Sequence, residues 1–181
     1  RLASQLRRIL SASLPLFAAG VVVMLFFKLD YFVLAQYASA RDIGHYSAAM
    51  RVMEMYVAVA NLALMQFYPG LAAAFQSNRD RYIANLRFCF RFAYGAATLI
   101  VIANLALGER LILWLLGPAY EPVAHYSTAF CLLGFPLLSG TVRAFAISLE
   151  QLHRTHFQSA LLGFGLAIPL LLMLVPKLGF R

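Results

Sequence analysis

Phe92-Ala-Tyr-Gly-Ala-Ala-Thr-Leu-Ile-Val-Ile-Ala-Asn-Leu-Ala-Leu-Gly108 contains no Asp, Glu, Lys or Arg. As a helix rising about 1.5 Å per residue, a run of this length spans most of the roughly 30 Å of hydrocarbon in a bilayer. Alone it would also fit a buried core helix or a signal peptide. Ile9 to Phe27 and Met55 to Asn78 precede it, however, and Val123 to Val142 and Thr155 to Pro176 follow, all free of those four residue types. Five runs of roughly 17 to 24 residues predict an all-α fold: a polytopic transmembrane helix bundle of about five spans. Composition agrees. With 62% hydrophobic and only 12% charged residues, 181 residues make too small an interior to hide so much apolar side chain in a soluble domain.

The runs and their flanks place the spans at about 11–37, 43–75, 86–107, 122–152 and 155–175. Arg1 to Arg8 forms a basic amphipathic lead-in. Ala38 to Asp42 reads as a short outer turn, with Asp42 placed to cap the second helix. Pro69 and Pro136 are expected to kink the second and fourth helices, because the ring removes a backbone bond and crowds the preceding turn. Gln76 to Asn85 reads as a polar inner loop, and Glu109 to Glu121 as an interfacial stretch with Trp114 and Tyr120 at headgroup depth. The chain starts at Arg1 without a signal-peptide pattern and stops at Arg181 directly after a span, so it is expected to be a piece of a longer protein.

Basic residues give the expected orientation. Arg1, Arg7, Arg8, Arg79, Arg81, Arg87, Arg91, Arg143 and Arg154 fall on one side, nine against the four of Arg41, Arg110, Lys177 and Arg181 on the other. The positive-inside tendency then puts the amino end in the cytoplasm. The net charge of +8 is accounted for by topology and attraction to anionic membrane lipids. Basic residues scattered over loops on both sides are not a nucleic-acid footprint. Cys89 and Cys131 lie within or beside spans and have no metal spacing. The histidines are unclustered apart from His153 and His156 at a helix end. No phosphate loop, nucleophile elbow or metal-binding histidine pair is present. No catalytic residue, metal or cofactor is therefore expected.

Ionisable groups at membrane depth cost about 2.5–3.5 kcal/mol each to insert, and so mark candidate functional positions. Lys28 and Asp30 lie on the first span, about 200° apart around the helix, so they face different directions. On the second helix Ser47, Arg51, Glu54, Asn61 and Tyr68 recur at steps of four, three, seven and seven, which makes one stripe. Arg51 and Glu54 are spaced to form an ion pair. Lipid rejects such a face, so it is expected to look into protein or a water-filled cavity. His125, Thr128, Ser139, Arg143 and Glu150 on the fourth helix, and Arg87, Arg91, Tyr94 and Thr98 on the third, extend the pattern. Polar seams also glue helices together without any transport role.

Three stretches carry a resemblance. Lys28-Leu-Asp-Tyr-Phe-Val-Leu34 resembles the segment that ends the first helix of a lobe in bacterial polysaccharide flippases. Those proteins belong to the multidrug/oligosaccharidyl-lipid/polysaccharide exporter superfamily. Asp42-Ile-Gly-His-Tyr-Ser-Ala-Ala49, followed by Arg51 and Glu54, resembles that family's next helix. Leu115-Leu-Gly-Pro-Ala-Tyr120 is similar to its motif between the third and fourth helices. Order and spacing agree from about Ser11 to Val175. Ala35 departs from the family's usual Gly, which affects close packing more than chemistry.

The resemblance implies a two-lobe flippase fold of which this chain is a partial second lobe. It implies a multi-pass protein of the bacterial inner membrane that moves undecaprenyl-pyrophosphate-linked oligosaccharide between leaflets by alternating access. The cargo would be an O-antigen, capsular or exopolysaccharide repeat unit, and polysaccharide polymerase and chain-length machinery would be partners. Arg51, Lys28, Asn61 and Arg91 are the candidate substrate contacts, since Arg offers paired charge-assisted hydrogen bonds to an anion. Asp30 and Glu54 are the candidates for ion coupling or for lining the cavity. A cation-coupled drug exporter of the same superfamily would need acidic residues to dominate. A membrane enzyme acting on lipid-linked sugars would need a large loop with catalytic groups, and Glu109 to Glu121 is short.

Overall fold

The computed structural model describes residues 14, 17–18, 20–21, 24–25, 28–29 and 31–178. Among them there is no strand, and the chain is all-α. After a helical stretch at 31–37 come α1 (Ala40–Met65), α2 (Tyr68–Ser77), α3 (Arg79–Leu116), a 3₁₀ turn at Pro118–Tyr120, α4 (Glu121–Cys131), α5 (Gly134–Leu149) and α6 (His153–Leu178). Three helical segments are long and apolar enough to cross a membrane: Ala40–Ser77, Arg79–Leu116 and Ser127–Leu149. They carry the second, third and fourth of the expected runs. The fifth run lies on α6, and most of the first, with the lead-in at 1–8, lies outside the described residues.

Local chemistry sets the boundaries. Ser39 and Asp42 form a reciprocal capping box ahead of α1: the Asp42 N–H donates to Ser39 Oγ at 3.2 Å, the Ser39 N–H donates to Asp42 Oδ2 at 3.3 Å, and the Ser39 hydroxyl donates to the same oxygen at 2.6 Å. Ser39 is thus the cap, and Asp42 its partner three residues on. Pro69 breaks the second span as expected. The Gln66 and Phe67 N–H groups fall back to i−3 carbonyls, Ala63 and Leu64, before α2 starts. Pro136 does the same between α4 and α5, where Leu132 and Leu133 donate to Ala129 and Phe130.

The expected inner loop is helix instead. Asn78 alone, in an extended conformation, separates α2 from α3, and its side chain accepts from the Arg81 N–H at 3.0 Å. The basic residues Arg79 to Arg91 therefore stand on helix, which also swallows most of the expected interfacial stretch before stopping at Gly117. There φ is +87°, a conformation that glycine adopts without steric penalty.

The described residues form two compact units, one from Gly44 to Glu150 and another from those of Arg1–Ile43 and Gln151–Arg181. Within the second, Val33 and Leu34 are buried. Within Gly44–Glu150, α3 is the central element. Its inward face reads Cys89, Ala93, Ala97, Ile100, Asn104, Gly108 and Ile112, spaced four or three apart and mostly small. Small residues let backbones approach, and in lipid such packing replaces the hydrophobic effect as the force joining helices. A Cβ built on Gly134 would lie 3.9 Å from both Ala97 and Val57, so α1, α3 and α5 converge there. Met50, Met53, Leu64, Leu138 and Val142 fill in around that point. Trp114, on the last turn of α3, is 81% exposed.

Candidate functional site

On α1, Arg51 Nη1 lies 3.2 Å from Glu54 Oε2, with the side chains 78% and 47% exposed. Met50, Met53, Val57 and Leu64 mark the buried side of the same helix. At 100° per residue Arg51 points away from that side, among exposed Met55, Val59 and Leu62. The ion pair thus belongs to a face that the Gly44–Glu150 unit does not cover.

The rest of the stripe turns toward α5. Thr141 Oγ1 donates to Asn61 Oδ1 at 2.8 Å, and the Tyr68 hydroxyl sits 3.5 Å from Ser148 Oγ. Asn61 is therefore held by a neighbouring helix, and Arg51 and Glu54 hold each other. Arg91 is exposed on α3, and Lys28 places its Nζ 5.1 Å from the centroid of the Tyr31 ring. Asp30 lies outside the described residues. Arg91 is not brought to Arg51: the contacts that join α1, α3 and α5 put it level with Asn61, more than two turns along.

A family model described as "Polysaccharide biosynthesis protein" matches residues 2–125. That range holds the capping box, the Arg51–Glu54 pair, all of α3 and the Gly117 turn. The chain belongs to the polysaccharide biosynthesis protein family. Comparison with curated proteins and with solved structures gives no match.

Two polar clusters in this member of the family went unmarked as units in the sequence. Asn104, only 3% exposed, donates through Nδ2 to Ser127 Oγ and Thr128 Oγ1, both at 2.9 Å, and so clamps α3 to α4. Its Oδ1 has no partner among the described residues and presses on Gly108, where a Cβ would come within 2.5 Å. The signal for it was a lone amide inside the charge-free run. At the other end of α3 the Tyr82 hydroxyl, on a side chain 1% exposed, donates to Glu150 Oε1 at 3.0 Å, and Arg79 meets the same oxygen at 3.5 Å. Thr128 and Glu150 of the fourth span's seam therefore serve helix contacts, while Arg143 is exposed. No group of three or more His, Cys, Asp or Glu side chains converges among the described residues.

Proposed function

We propose that the chain belongs to a flippase that carries undecaprenyl-pyrophosphate-linked oligosaccharide across the bacterial inner membrane by alternating access. Family membership supports a role in polysaccharide synthesis or export. The observation that carries the transport reading is the exposed Arg51–Glu54 pair on a membrane-spanning helix. A face with two charges is not a lipid face, so it borders water or further protein. A guanidinium on such a face suits a diphosphate or an acidic sugar, and Glu54 suits a coupling cation or the tuning of Arg51. The helix breaks at Gln66–Phe67 and Leu132–Leu133 supply points about which the halves of two spans can bend. The basic side of the bundle faces the cytoplasm in this reading. Polymerase and chain-length machinery would receive the product.

The test is complementation with the full-length gene in cells lacking their own polysaccharide flippase, following lipid-linked oligosaccharide in each leaflet and glycan at the surface. Restoration that is lost with Arg51→Ala supports the proposal. Normal precursor synthesis with no glycan at the surface, across several oligosaccharide types, would overturn it.

A further inference from the structure

α2, α4 and α5 each bring their backbones close against α3, whereas α1 comes that near to any of them at isolated points at most. Side-chain size accounts for the difference. α3 presents Ala97 to Gly134 of α5, and small residues let backbones approach. α1 turns Met50, Met53, Val57 and Leu64 inward, and their length holds its backbone away. Ala49, packed with Ile112 and Val123, is the small residue on that side.

The polar contacts divide in the same way. Asn104 clamps α4 to α3, and Tyr82 holds Glu150 at the end of α5. Leu71 and Ala74 seat α2 in one buried cluster with Tyr82, beside Phe145 and Leu149. Both halves of the fourth span are therefore fixed to α3, on either side of the break at Leu132–Leu133. At the Gln66–Phe67 break only the α2 half is fixed. There Phe67 meets Phe88 and Phe92 edge-on, with ring centroids 5.3 and 5.2 Å away.

The ties of α1 are of kinds that re-form after a small shift. Met50 and Met53 are unbranched and adapt to a changed surface. His45 on Tyr120 and Tyr46 on Phe130 are ring-edge contacts, and Thr141 donates a hydrogen bond to Asn61. We propose that α1 is a lever. It tilts about Gln66–Phe67 against a frame of α2, α3, α4 and α5, and the Asn61–Thr141 bond is the catch that holds it in its present position. For its purpose the lever rests on the transport reading above, which it narrows from two bending points to one. Arg51 stands fifteen residues from Gln66, an arm of about 22 Å. A tilt of about 20°, the size of a clear helix kink, carries the Arg51–Glu54 pair about 8 Å.

Spin-label distances in the full-length protein, reconstituted in nanodiscs, test this without reading transport, so failure of the cargo assignment leaves the result intact. The native cysteines are buried and inert to labelling. Labels at exposed Met55→Cys and Leu105→Cys span the lever and the frame, while Leu105→Cys and Ala144→Cys lie within the frame. The first pair should show two distances and the second pair one. Thr141→Val should raise the ratio of the second distance to the first about threefold, the effect of losing one average hydrogen bond between membrane helices. Pro69→Ala returns a donor to the Met65 carbonyl and should lower that ratio. A single narrow distance for the Met55–Leu105 pair, in the parent and in Thr141→Val alike, would place α1 in the frame and overturn the lever. Equal broadening of both pairs would overturn it too, since the whole bundle would then flex. A ratio that Thr141→Val leaves unchanged would overturn the catch.

Discussion

Asn61 and Thr141 are joined by a 2.8 Å hydrogen bond between α1 and α5, and seven residues on in both chain directions Tyr68 meets Ser148 at 3.5 Å. The same offset at both contacts means that the second and fourth spans run parallel and in fixed register, as alternate spans of an up-and-down bundle must. Two turns of helix separate the contacts, so together they resist both sliding and rotation.

Thr141→Val keeps the shape and removes the donor. It should destabilise the protein by about 0.6 kcal/mol, the average for hydrogen bonds between membrane helices, and by no more than about 1.7 kcal/mol. Asn61→Ala combined with Thr141→Val should be less damaging than the two separate losses added together. Reversible unfolding in mixed micelles reads both. A Thr141→Val protein as stable as the parent would mean that Asn61 is free for another partner.

Gly108 should be intolerant of any side chain. A methyl group there would come within 2.5 Å of Asn104 Oδ1, forcing the amide away from Ser127 and Thr128. Overpacking of this kind costs about 1–3 kcal/mol. Asn104→Ala should relieve the clash, so the Gly108→Ala and Asn104→Ala double variant should unfold at a higher temperature than Gly108→Ala alone. If the double variant is the weaker one, the two residues are not in conflict.

The Arg79–Tyr82–Glu150 cluster separates a buried hydrogen bond from an exposed ion pair. Arg79→Gln should change stability by less than about 0.5 kcal/mol, because its head is mostly in water. Tyr82→Phe should cost about 1 kcal/mol, and Glu150→Ala about 1–3 kcal/mol because it strands a buried hydroxyl. Thermal unfolding at low and at high salt checks the order. Arg79→Gln proving the most damaging of the three would contradict it.

Much of this bundle could be read from residue spacing, and the exceptions have physical causes. The second, third and fourth charge-free runs coincide with the three helical segments long and apolar enough to cross a membrane, because lipid forbids charge along them, and Pro69 and Pro136 mark the breaks because a missing N–H acts locally. The stretch from Gln76 to Asn85 misled, since its polarity signals water and not loop. A helix that leaves the membrane turns polar without unwinding, and Asn78 alone makes the turn. The stripe from Ser47 to Tyr68 was found as a stripe, but periodicity does not say which neighbour it meets. Asn61 and Tyr68 sit at its edge and reach α5, whereas Arg51 faces away. Asn104 stood out only as an amide in an apolar run. Its hydroxyl partners come from α4, twenty-three and twenty-four positions on, a pairing that only the folded arrangement fixes.

The Arg51–Glu54 pair makes the sharpest distinction between scaffolding and transport. An exposed pair three residues apart on one helix contributes about 0.2–0.5 kcal/mol, so Arg51→Ala should leave the unfolding temperature almost unchanged. If the guanidinium contacts an anionic cargo, losing a hydrogen bond to a charged group removes about 1.5–3 kcal/mol, or roughly ten- to a hundred-fold in transport rate. Arg51→Lys keeps the charge without the planar fork and should fall between the two. Glu54→Gln frees Arg51 from its partner while preserving size, so it should alter the pH or sodium dependence of transport if Glu54 serves coupling. Flux of lipid-linked oligosaccharide in reconstituted vesicles of the full-length protein, measured beside its unfolding temperature, separates the cases. Loss of flux at unchanged stability places Arg51 on the path, whereas matched loss of both makes the pair structural.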